Sequence, residues 1–137
     1  MKQIIYLLEK NLVSVRNKRI TILGLSFKEN SDDIRESRSI ELIKILLKKK
    51  AKIIVHDPKA MKNIESIFKT KINYADSLLK SLDNSHSVVI MTPWKVYSKL
   101  KSDNFKNMKR KLIIDTRRIL SEKNFNGKYF GLGLGTN

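Results

Sequence analysis

Residues 20–25, Ile-Thr-Ile-Leu-Gly-Leu, form a short apolar run without a charged side chain. A strand with one face in solvent would alternate apolar and polar residues, so this run is typical of a strand buried on both faces. Residues 1–16, ahead of it, repeat apolar residues at helical spacing and predict an amphipathic helix that ends at Asn17-Lys18. The apolar positions of that helix are Ile4, Ile5, Leu8, Leu12 and Val15.

Predicted helices and strands alternate along the remainder of the chain. The helices are expected at residues 37–50, 60–68 and 75–82, and the further strands at 52–56, 71–74, 87–92, 112–115 and 128–132. This alternation favours a parallel sheet that is covered on both faces by the connecting helices. The prediction is an α/β fold, a Rossmann-like three-layer sandwich with a mainly parallel five- or six-stranded sheet, preceded by an N-terminal helix.

The charge balance is strongly basic, yet the chain has enough apolar residues for a core. There are 29 Lys and Arg against 13 Asp and Glu, a formal net charge of +16, and 41% of the residues are hydrophobic. This hydrophobic content excludes a disordered polycationic tail. The positive charge leaves three interpretations open: nucleic-acid binding, binding of an anionic small molecule, and a lysine-rich surface without a specific partner.

Cysteine is absent from the sequence, and the only histidines are His56 and His86. The lack of cysteine excludes disulfides, thiolate metal sites and a cysteine nucleophile within this chain. Two histidines disfavour a histidine-based metal site, and we interpret both as structural. We therefore expect neither a catalytic residue nor a metal ligand among these residues.

The amino-terminal residues resemble a signal peptide only faintly. Glu9 and Lys10 interrupt the apolar run of residues 4–8, well short of the roughly 7–15 apolar residues that a signal peptide needs. No stretch reaches the roughly 18 apolar residues of a membrane span. We expect a cytoplasmic protein without a membrane partner.

Aromatic and basic side chains follow three strands that should be neighbours in the sheet. Phe27 and Lys28 come after the first strand, Trp94 after the fourth, and Arg117 and Arg118 after the fifth. Ligands of open parallel sheets bind outside the carboxyl ends of the strands, where these residues should converge. An anionic ligand with a ring, such as a nucleoside diphosphate, suits them. Core packing of Phe27 and a plug role for Trp94 at the sheet edge remain open.

A complete dinucleotide fingerprint is missing. The pattern G-x-G-x-x-G should follow the first strand, but Gly24 stands there alone. Asp57 does occupy the acidic position at the end of the second strand, whereas the clustered Gly131, Gly133 and Gly135 precede no helix. The chain is therefore not expected to bind NAD by itself.

Three segments resemble a known family. They are residues 24–37 (GLSFKENSDDIRES), 54–61 (IVHDPKAM) and 113–117 (IIDTR). Together they are similar to the C-terminal, UDP-binding domain of the UDP-glucose/GDP-mannose dehydrogenase family. Residues 1–17 resemble the end of the central linker and dimerisation helix of that family, and residues 18–137 its Rossmann-like UDP-sugar-binding domain.

The resemblance implies a part of a larger enzyme. Family members oxidise the C6 alcohol of a nucleotide sugar to a carboxylate, with two NAD⁺ per sugar and a cysteine thiohemiacetal. An N-terminal domain holds NAD, and a central helical domain carries the cysteine and dimerises. The implied partners are UDP-glucose or a related UDP-sugar, the remaining domains and a second subunit, with no nucleic acid and no membrane; this chain alone should be inactive.

Individual roles follow from the matching positions. Phe27 and Lys28 match a pair that lines the nucleotide-sugar site, and Arg117 matches an arginine that contacts substrate. Arg35 matches an arginine that reaches towards the NAD held by the first domain. Charged hydrogen bonds to phosphate make these residue types suitable.

Residues beside Arg35 and Arg117 have predicted roles of their own. We expect Asp32, Asp33 and Ser37 to cap the following helix and to hold Arg35 in place. Thr116 and Arg118 depart from the commonest family pattern and leave the preferred sugar open.

Two functions of other classes compete with this interpretation. A basic nucleic-acid-binding domain would account for the net charge, although the lysines are dispersed and no nucleic-acid motif is present. A non-catalytic domain that holds an oligomer together through the helix at residues 1–16 is the third possibility.

Overall fold

One six-stranded sheet organises the computed structural model, which describes residues 1–120 and 127–133. The strands are β1 (Arg19–Leu23), β2 (Lys52–His56), β3 (Asn73–Tyr74), β4 (Ser87–Ile90), β5 (Leu112–Asp115) and β6 (Lys128–Gly131). Their spatial order is β3-β2-β1-β4-β5-β6, and every neighbouring pair is parallel. The predicted parallel α/β sheet, with β1, β4 and β5 as neighbours, is confirmed.

One helix precedes β1, and the other four lie between successive strands as far as β5 in the described residues. They are α1 (Lys2–Leu12), α2 (Arg38–Lys48), α3 (Met61–Phe68), α4 (Leu78–Leu82) and α5 (Lys95–Ser98), with 3₁₀ turns at Lys69–Lys71 and Ser102–Phe105. Among the described residues, no helix is both long enough and apolar enough to span a bilayer.

Alternate residues of the strands pack into two separate hydrophobic clusters. Val89 and Ile114 join the cluster that contains the apolar faces of α1, α2 and α3. Val88, Ile90 and Ile113 join the other, which contains residues of α4, α5 and the following 3₁₀ turn. Because side chains of a strand point alternately to opposite faces, the sheet lies between two helical layers. This arrangement confirms the predicted three-layer sandwich.

The N-terminal helix ends about one turn earlier than predicted. It stops at Leu12, and Val13 adopts a positive φ of 69°. Val15 is nevertheless buried in the same cluster as Leu8 and Ile20. Its helical spacing was therefore misleading, because Val15 reaches the core from the turn between α1 and β1 and not from the helix.

Other boundaries differ for local reasons. The predicted strand at residues 20–25 ends at Leu23, where Gly24 turns the chain with a φ of 98°. The helix expected from Ala75 begins only at Leu78, since the Ala75 N–H still donates to Val55 O, 2.9 Å away, beside β2. The short helix α5 and the 3₁₀ turn at Ser102–Phe105 were not predicted.

Gly24 lies where two chain segments approach each other closely. A Cβ atom on Gly24 would lie 2.5 Å from both the backbone nitrogen and the Cβ of Thr92, which follows β4. Its φ of 98° is also one that side-chain-bearing residues rarely adopt. Glycine at this position lets the loop after β1 cross closely over the segment after β4.

Replacing Gly24 with alanine should destabilise the fold. Backbone strain and the clash with Thr92 together should lower the free energy of unfolding by about 2–4 kcal/mol, measured by urea denaturation. Gly131→Ala is the matched control, because its Cβ would lie no closer than 3.2 Å to another atom, the Tyr129 hydroxyl oxygen. Equal losses in the two variants would contradict this explanation.

Candidate functional site

The loops after β1, β4 and β5 lie side by side at the carboxyl edge of the sheet. The Met91 N–H donates to Leu23 O over 2.8 Å, and the Thr116 N–H donates to Ile90 O over 3.1 Å. These bonds extend the strand pairing by one residue beyond each strand. The residues that follow β1, β4 and β5 are thereby held next to one another.

Asp57, the first residue after β2, organises this edge although it is only 1% exposed. Its Oδ2 accepts from the N–H groups of Leu25 (2.7 Å) and Ser26 (3.2 Å) and from the Trp94 indole N–H (3.1 Å). Its Oδ1 accepts from the backbone N–H groups of residues 59–60, both at 2.8 Å. A buried carboxylate needs such donors, and here they come from three different loops.

The loop after β1 is held by hydrogen bonds from two other segments. The hydroxyls of Ser37 and Ser39, at the start of α2, donate to the carbonyls of Leu25 (2.6 Å) and Gly24 (2.7 Å). The Thr92 hydroxyl donates to Ser26 O over 2.9 Å. The loop is thus anchored to both α2 and the segment after β4.

Phe27 and Lys28 point outward from this fastened loop. The Phe27 N–H donates to Asp33 O over 2.7 Å, and the Ser26 hydroxyl donates to Lys28 O over 2.8 Å. The Phe27 side chain is 51% exposed, and Lys28 is exposed as well. Core packing of Phe27, one of the two alternatives from the sequence, is therefore wrong.

A second buried carboxylate, Asp115 at the end of β5, shapes the turn that carries Arg117. Asp115 Oδ1 accepts from the Arg117 N–H (3.2 Å), and Oδ2 accepts from the N–H groups of Ile119 (2.9 Å) and Leu120 (3.0 Å). The Tyr129 hydroxyl donates to Oδ2 over 2.9 Å, and burial with this bond raises the pKa of Tyr129. These bonds to a buried carboxylate fix the backbone of the turn that carries Arg117.

Arg117 and the Phe27-Lys28 pair are linked by a short series of contacts. The half-buried Arg117 donates from Nη1 to Met91 O at 3.5 Å. The next residue, Thr92, bonds Ser26, which directly precedes Phe27. The structure therefore brings the early and the late predicted residues to the same edge of the sheet.

Trp94 has a supporting position at this edge. It is 6% exposed, and its indole N–H is bonded to Asp57. Of the two interpretations from the sequence, the structural one is confirmed, because the ring packs in the cluster that also contains Tyr97 and Leu100.

Arg35 lies at the surface and is connected to the Phe27-Lys28 loop through Asp33, whose carbonyl accepts from the Phe27 N–H. Its side chain is 88% exposed and forms an ion pair with Asp33, with Nη2 2.8 Å from Oδ2. The expectation that Asp33 holds Arg35 is confirmed, but the expected capping of α2 is wrong. Ser37, the residue before α2, makes no capping bond because its hydroxyl donates to Leu25 O.

Both histidines have structural contacts, as expected. His56 Nδ1 lies 2.9 Å from the Tyr97 hydroxyl, and burial lowers the pKa of His56 and raises that of Tyr97. His86 Nδ1 accepts from the Arg19 N–H over 3.0 Å. Residues 1–120 and 127–133 contain no group of three His, Cys, Asp or Glu side chains placed to hold a metal ion.

The comparisons with known proteins agree with this geometry. Residues 21–122 match the family described as UDP-glucose/GDP-mannose dehydrogenase family, UDP binding domain. The chain belongs to this family.

Named relatives of this dehydrogenase family include enzymes from archaea and bacteria. The chain is 40% identical over 106 residues to the UDP-glucose 6-dehydrogenase AglM of Haloferax volcanii, covering 77% of this chain and 24% of that protein. It is 35% identical over 108 residues to the UDP-glucose 6-dehydrogenase of Rickettsia bellii, covering 77% and 25%. The chain thus spans about a quarter of the length of the relatives it matches.

Solved structures of the dehydrogenase family share the fold. A UDP-glucose dehydrogenase from Pyrobaculum islandicum superimposes with a TM-score of 0.81 at 32% identity, over 93% of this chain and 28% of that one. A UDP-D-ManNAc dehydrogenase from Pyrococcus horikoshii gives a TM-score of 0.76 at 25% identity, over 96% and 29%. The fold prediction is therefore confirmed independently of the sheet topology.

The residues of this dehydrogenase domain do not fit an NAD site of the usual Rossmann kind. A carboxylate after the second strand should be available for the ribose hydroxyls, but both oxygens of Asp57 accept protein N–H groups. The close approach of Gly24 is to Thr92, and no second glycine follows it in the loop. Asp57, at the acidic position of the dinucleotide fingerprint, instead supports the loop after β1 through its bonds to Leu25 and Ser26.

Sequence reasoning missed the roles of Asp57, Asp115 and Thr92. The sequence placed Asp57 at the acidic position of a dinucleotide fingerprint and placed both aspartates in segments that resemble the family, but it did not indicate that they support loops. The available signal was the position of each carboxylate, directly after an apolar run, where a charge must be buried and needs N–H donors.

Replacing Asp57 with asparagine should weaken the whole edge. Both oxygens of Asp57 accept N–H groups, and an asparagine would put its own NH₂ donor in place of one of them. Because N–H donors would then lose their acceptor, we expect the free energy of unfolding to fall by about 2–4 kcal/mol. Urea denaturation measures this loss. Asp76→Asn, at an exposed aspartate, should change stability by less than about 0.5 kcal/mol, and a similarly small effect at Asp57 would contradict its supporting role.

The Arg35–Asp33 pair should be visible in a pH titration. The pair lowers the pKa of Asp33 from 3.8 to about 2, chiefly through the side-chain hydrogen bond. Its stabilisation of the loop is present above pH 3.8 and is lost as the pH falls through about 2. NMR of the carboxyl carbon should follow this titration, and Arg35→Gln should return the pKa of Asp33 towards 3.8; an unchanged pKa in the variant would exclude the pair as the cause.

Proposed function

We propose that this chain is the nucleotide-sugar-binding domain of a longer NAD-dependent nucleotide-sugar 6-dehydrogenase and that its ligand is UDP-glucose. In this proposal Lys28 and Arg117 bind the ligand oxygens, Phe27 packs against the ligand, and Arg35 serves the cofactor side. The observation that carries it is the convergence of Phe27-Lys28 and Arg117 at one sheet edge through Thr92 and Met91. Membership of the family supplies the class of ligand.

Lys28 and Arg117 offer complementary cations for a pyrophosphate. Lys28 is an exposed ammonium on a loop that several hydrogen bonds hold in place. Arg117 is half-buried and has a planar group with five N–H donors, of which the contact with Met91 O uses one. A charged hydrogen bond to an anion contributes roughly 1.5–3 kcal/mol, so two of them would dominate the affinity of a small ligand.

Preorganisation strengthens this assignment. The carboxylates of Asp57 and Asp115 support the loops of Phe27 and Arg117 from within the sheet edge. Both carboxylates are buried beneath the loops, and neither cation is paired with them. The positive charges therefore stay available to an external anion, and less ordering is needed when it binds.

The chemistry of oxidation must come from other parts of the proposed enzyme. This chain has no cysteine, and its Gly24 loop does not form a dinucleotide fingerprint. We assign NAD and the thiohemiacetal cysteine to the remaining domains. Arg35 is exposed, and in this proposal it is the group of this chain that reaches towards the cofactor. NAD supplies the hydride acceptor when it is bound by the other domains.

The names of the relatives favour glucose as the sugar of the ligand. Two relatives above 30% identity are named as UDP-glucose 6-dehydrogenases, whereas one named for UDP-D-ManNAc is 25% identical. Thr116 is buried and bonds Ile90 O over 2.6 Å, so it does not face a ligand. Arg118 is exposed with a φ of 53°, and it remains the neighbouring side chain that could contact the ligand.

The domain bounds, the oligomeric state and the cellular location stay predictions. Residues 1–17 are proposed as the end of the central helix and residues 18–137 as the UDP-sugar domain, with homodimerisation in the longer enzyme. The buried face of α1 packs into the same cluster as the sheet, so the helix and the domain should behave as one unit. A cytoplasmic location follows from the proposed biosynthetic substrate.

Lys28→Ala and Arg117→Ala should each weaken binding of UDP-glucose by about 2 kcal/mol, or about thirtyfold. Isothermal titration calorimetry with UDP and UDP-glucose measures this on the chain, and KM for UDP-glucose measures it in the longer enzyme. Lys59→Ala, at an exposed lysine just beyond Asp57, is the matched control and should leave affinity unchanged.

Uridine provides a second control because it lacks the diphosphate. Its weak binding should be the same in the original chain and in both variants. Unchanged affinity for UDP-glucose in Lys28→Ala and Arg117→Ala would contradict the proposed anion site.

A further inference from the structure

The amino-terminal edge of the sheet, at the opposite end of the strands from the candidate site, is strongly basic. Cations lie at the first residue of a strand or at most three residues before it. Six of these cations define the surface that we call the basic edge: Lys18, Lys52, Lys71, Lys109, Arg110 and Lys128. Among the described residues, Glu9 pairs with Lys49 at 3.2 Å, and Asp83 Oδ1 lies 3.5 Å from Asn107 Nδ2.

Backbone hydrogen bonds hold these cations close to one another. The Lys52 N–H donates to Lys18 O (2.9 Å), and the Lys109 N–H donates to Ser85 O (2.8 Å), next to His86. Burial lowers the pKa of His86, and the charges of Lys109, Lys18 and Arg110 lower it further. The basic edge is thus a concentrated field of positive charge and not a set of isolated lysines.

Arg19, at the start of β1 within this field, has an unsatisfied donor. Its buried Nε has no hydrogen-bond partner in residues 1–120 and 127–133. A buried N–H without an acceptor is unfavourable. An external anion at this edge would relieve repulsion among the neighbouring cations.

An apolar groove between α2 and α3 adjoins the basic edge. Ile67, which is 43% exposed, and Phe68 line it together with Lys44, Lys48 and Lys71. Lys71 belongs to both surfaces. The amino edge therefore combines the accessible Ile67 with lysines, and apolar groups together with lysines bind the interfacial region of anionic bilayers.

We propose that the basic edge and the adjoining groove bind the surface of an anionic phospholipid bilayer. The cations lie at the starts of five strands in a sheet about 25 Å wide at a spacing of roughly 4.8 Å, and all except the half-buried Lys18 are exposed. Most are lysines, which act as point charges and suit diffuse attraction to lipid phosphates. This proposal departs from the expectation of no membrane partner, and a surface contact requires no spanning helix.

Nucleic acid is a poorer match for this surface. Single strands are bound by stacking of bases on exposed aromatic rings. Among the described residues, the exposed aromatic side chains are Tyr6, on α1, and Phe27, at the opposite edge of the sheet. A bilayer needs no stacking platform, and its interface also accommodates Ile67.

Binding at the amino edge would leave the candidate site open. Parallel strands place all their amino ends at one edge and all their carboxyl ends at the other. Lys28 and Arg117, at the carboxyl edge, would therefore face away from a bound membrane. The proposal is thus independent of the proposed nucleotide-sugar site.

Vesicle flotation with the complete chain tests the proposal. Vesicles of phosphatidylcholine with about 30% phosphatidylglycerol, at about 150 mM salt, should carry the protein, whereas pure phosphatidylcholine vesicles should not. The triple variant Lys52→Gln/Lys71→Gln/Lys109→Gln should lose at least tenfold in partitioning, because about three favourable charges are removed. All three side chains are exposed, and thermal unfolding verifies that the variant folds.

A matched variant removes the same charge elsewhere. Lys59→Gln/Lys62→Gln/Lys95→Gln neutralises three exposed lysines near the carboxyl edge and should change partitioning by less than about threefold. Equal loss in the two triple variants, or no flotation of the original chain, would overturn the proposal. Binding to a labelled single-stranded RNA without binding to anionic vesicles would overturn it as well and would assign the edge to nucleic acid.

Discussion

The burial of the Asp57 carboxylate is the constraint on which the carboxyl edge depends. A charge that is 1% exposed must be satisfied by hydrogen-bond donors. Those donors are the N–H groups of Leu25 and Ser26, of the residues before α3, and of the Trp94 indole. One side chain therefore sets the positions of three loops, and the outward direction of Phe27 follows from it.

Asp115 repeats this arrangement on the other side of β4. Its two oxygens hold the turn that contains Arg117, and the Tyr129 hydroxyl bonds the same carboxylate. Negative groups thus lie inside the sheet edge and positive groups outside it. The separation is physically sensible, since the carboxylates are satisfied by neutral N–H and O–H donors and do not neutralise the cations above them.

The fold was accessible from the sequence because apolar runs and amphipathic helices alternate, and this pattern determines a parallel sheet. The same topology predicted that Lys28 and Arg117 lie at the same edge of the sheet. What escaped prediction depends on contacts between distant loops: the Trp94–Asp57 bond and the end of α1 at Leu12 both need tertiary partners that periodicity does not contain. Resemblance to the family supplied the ligand class, which the residue pattern alone left among several anions.

The central position of β1 has a consequence for synthesis of the chain. β1 ends at Leu23, but its second neighbour, β4, is complete only at Ile90. During that interval the nascent polypeptide carries an apolar segment whose backbone is unpaired along one side, a template for association with other chains. Because such distant parallel pairing forms slowly, we expect residues 20–25 to stay open to such association until β4 has been synthesised.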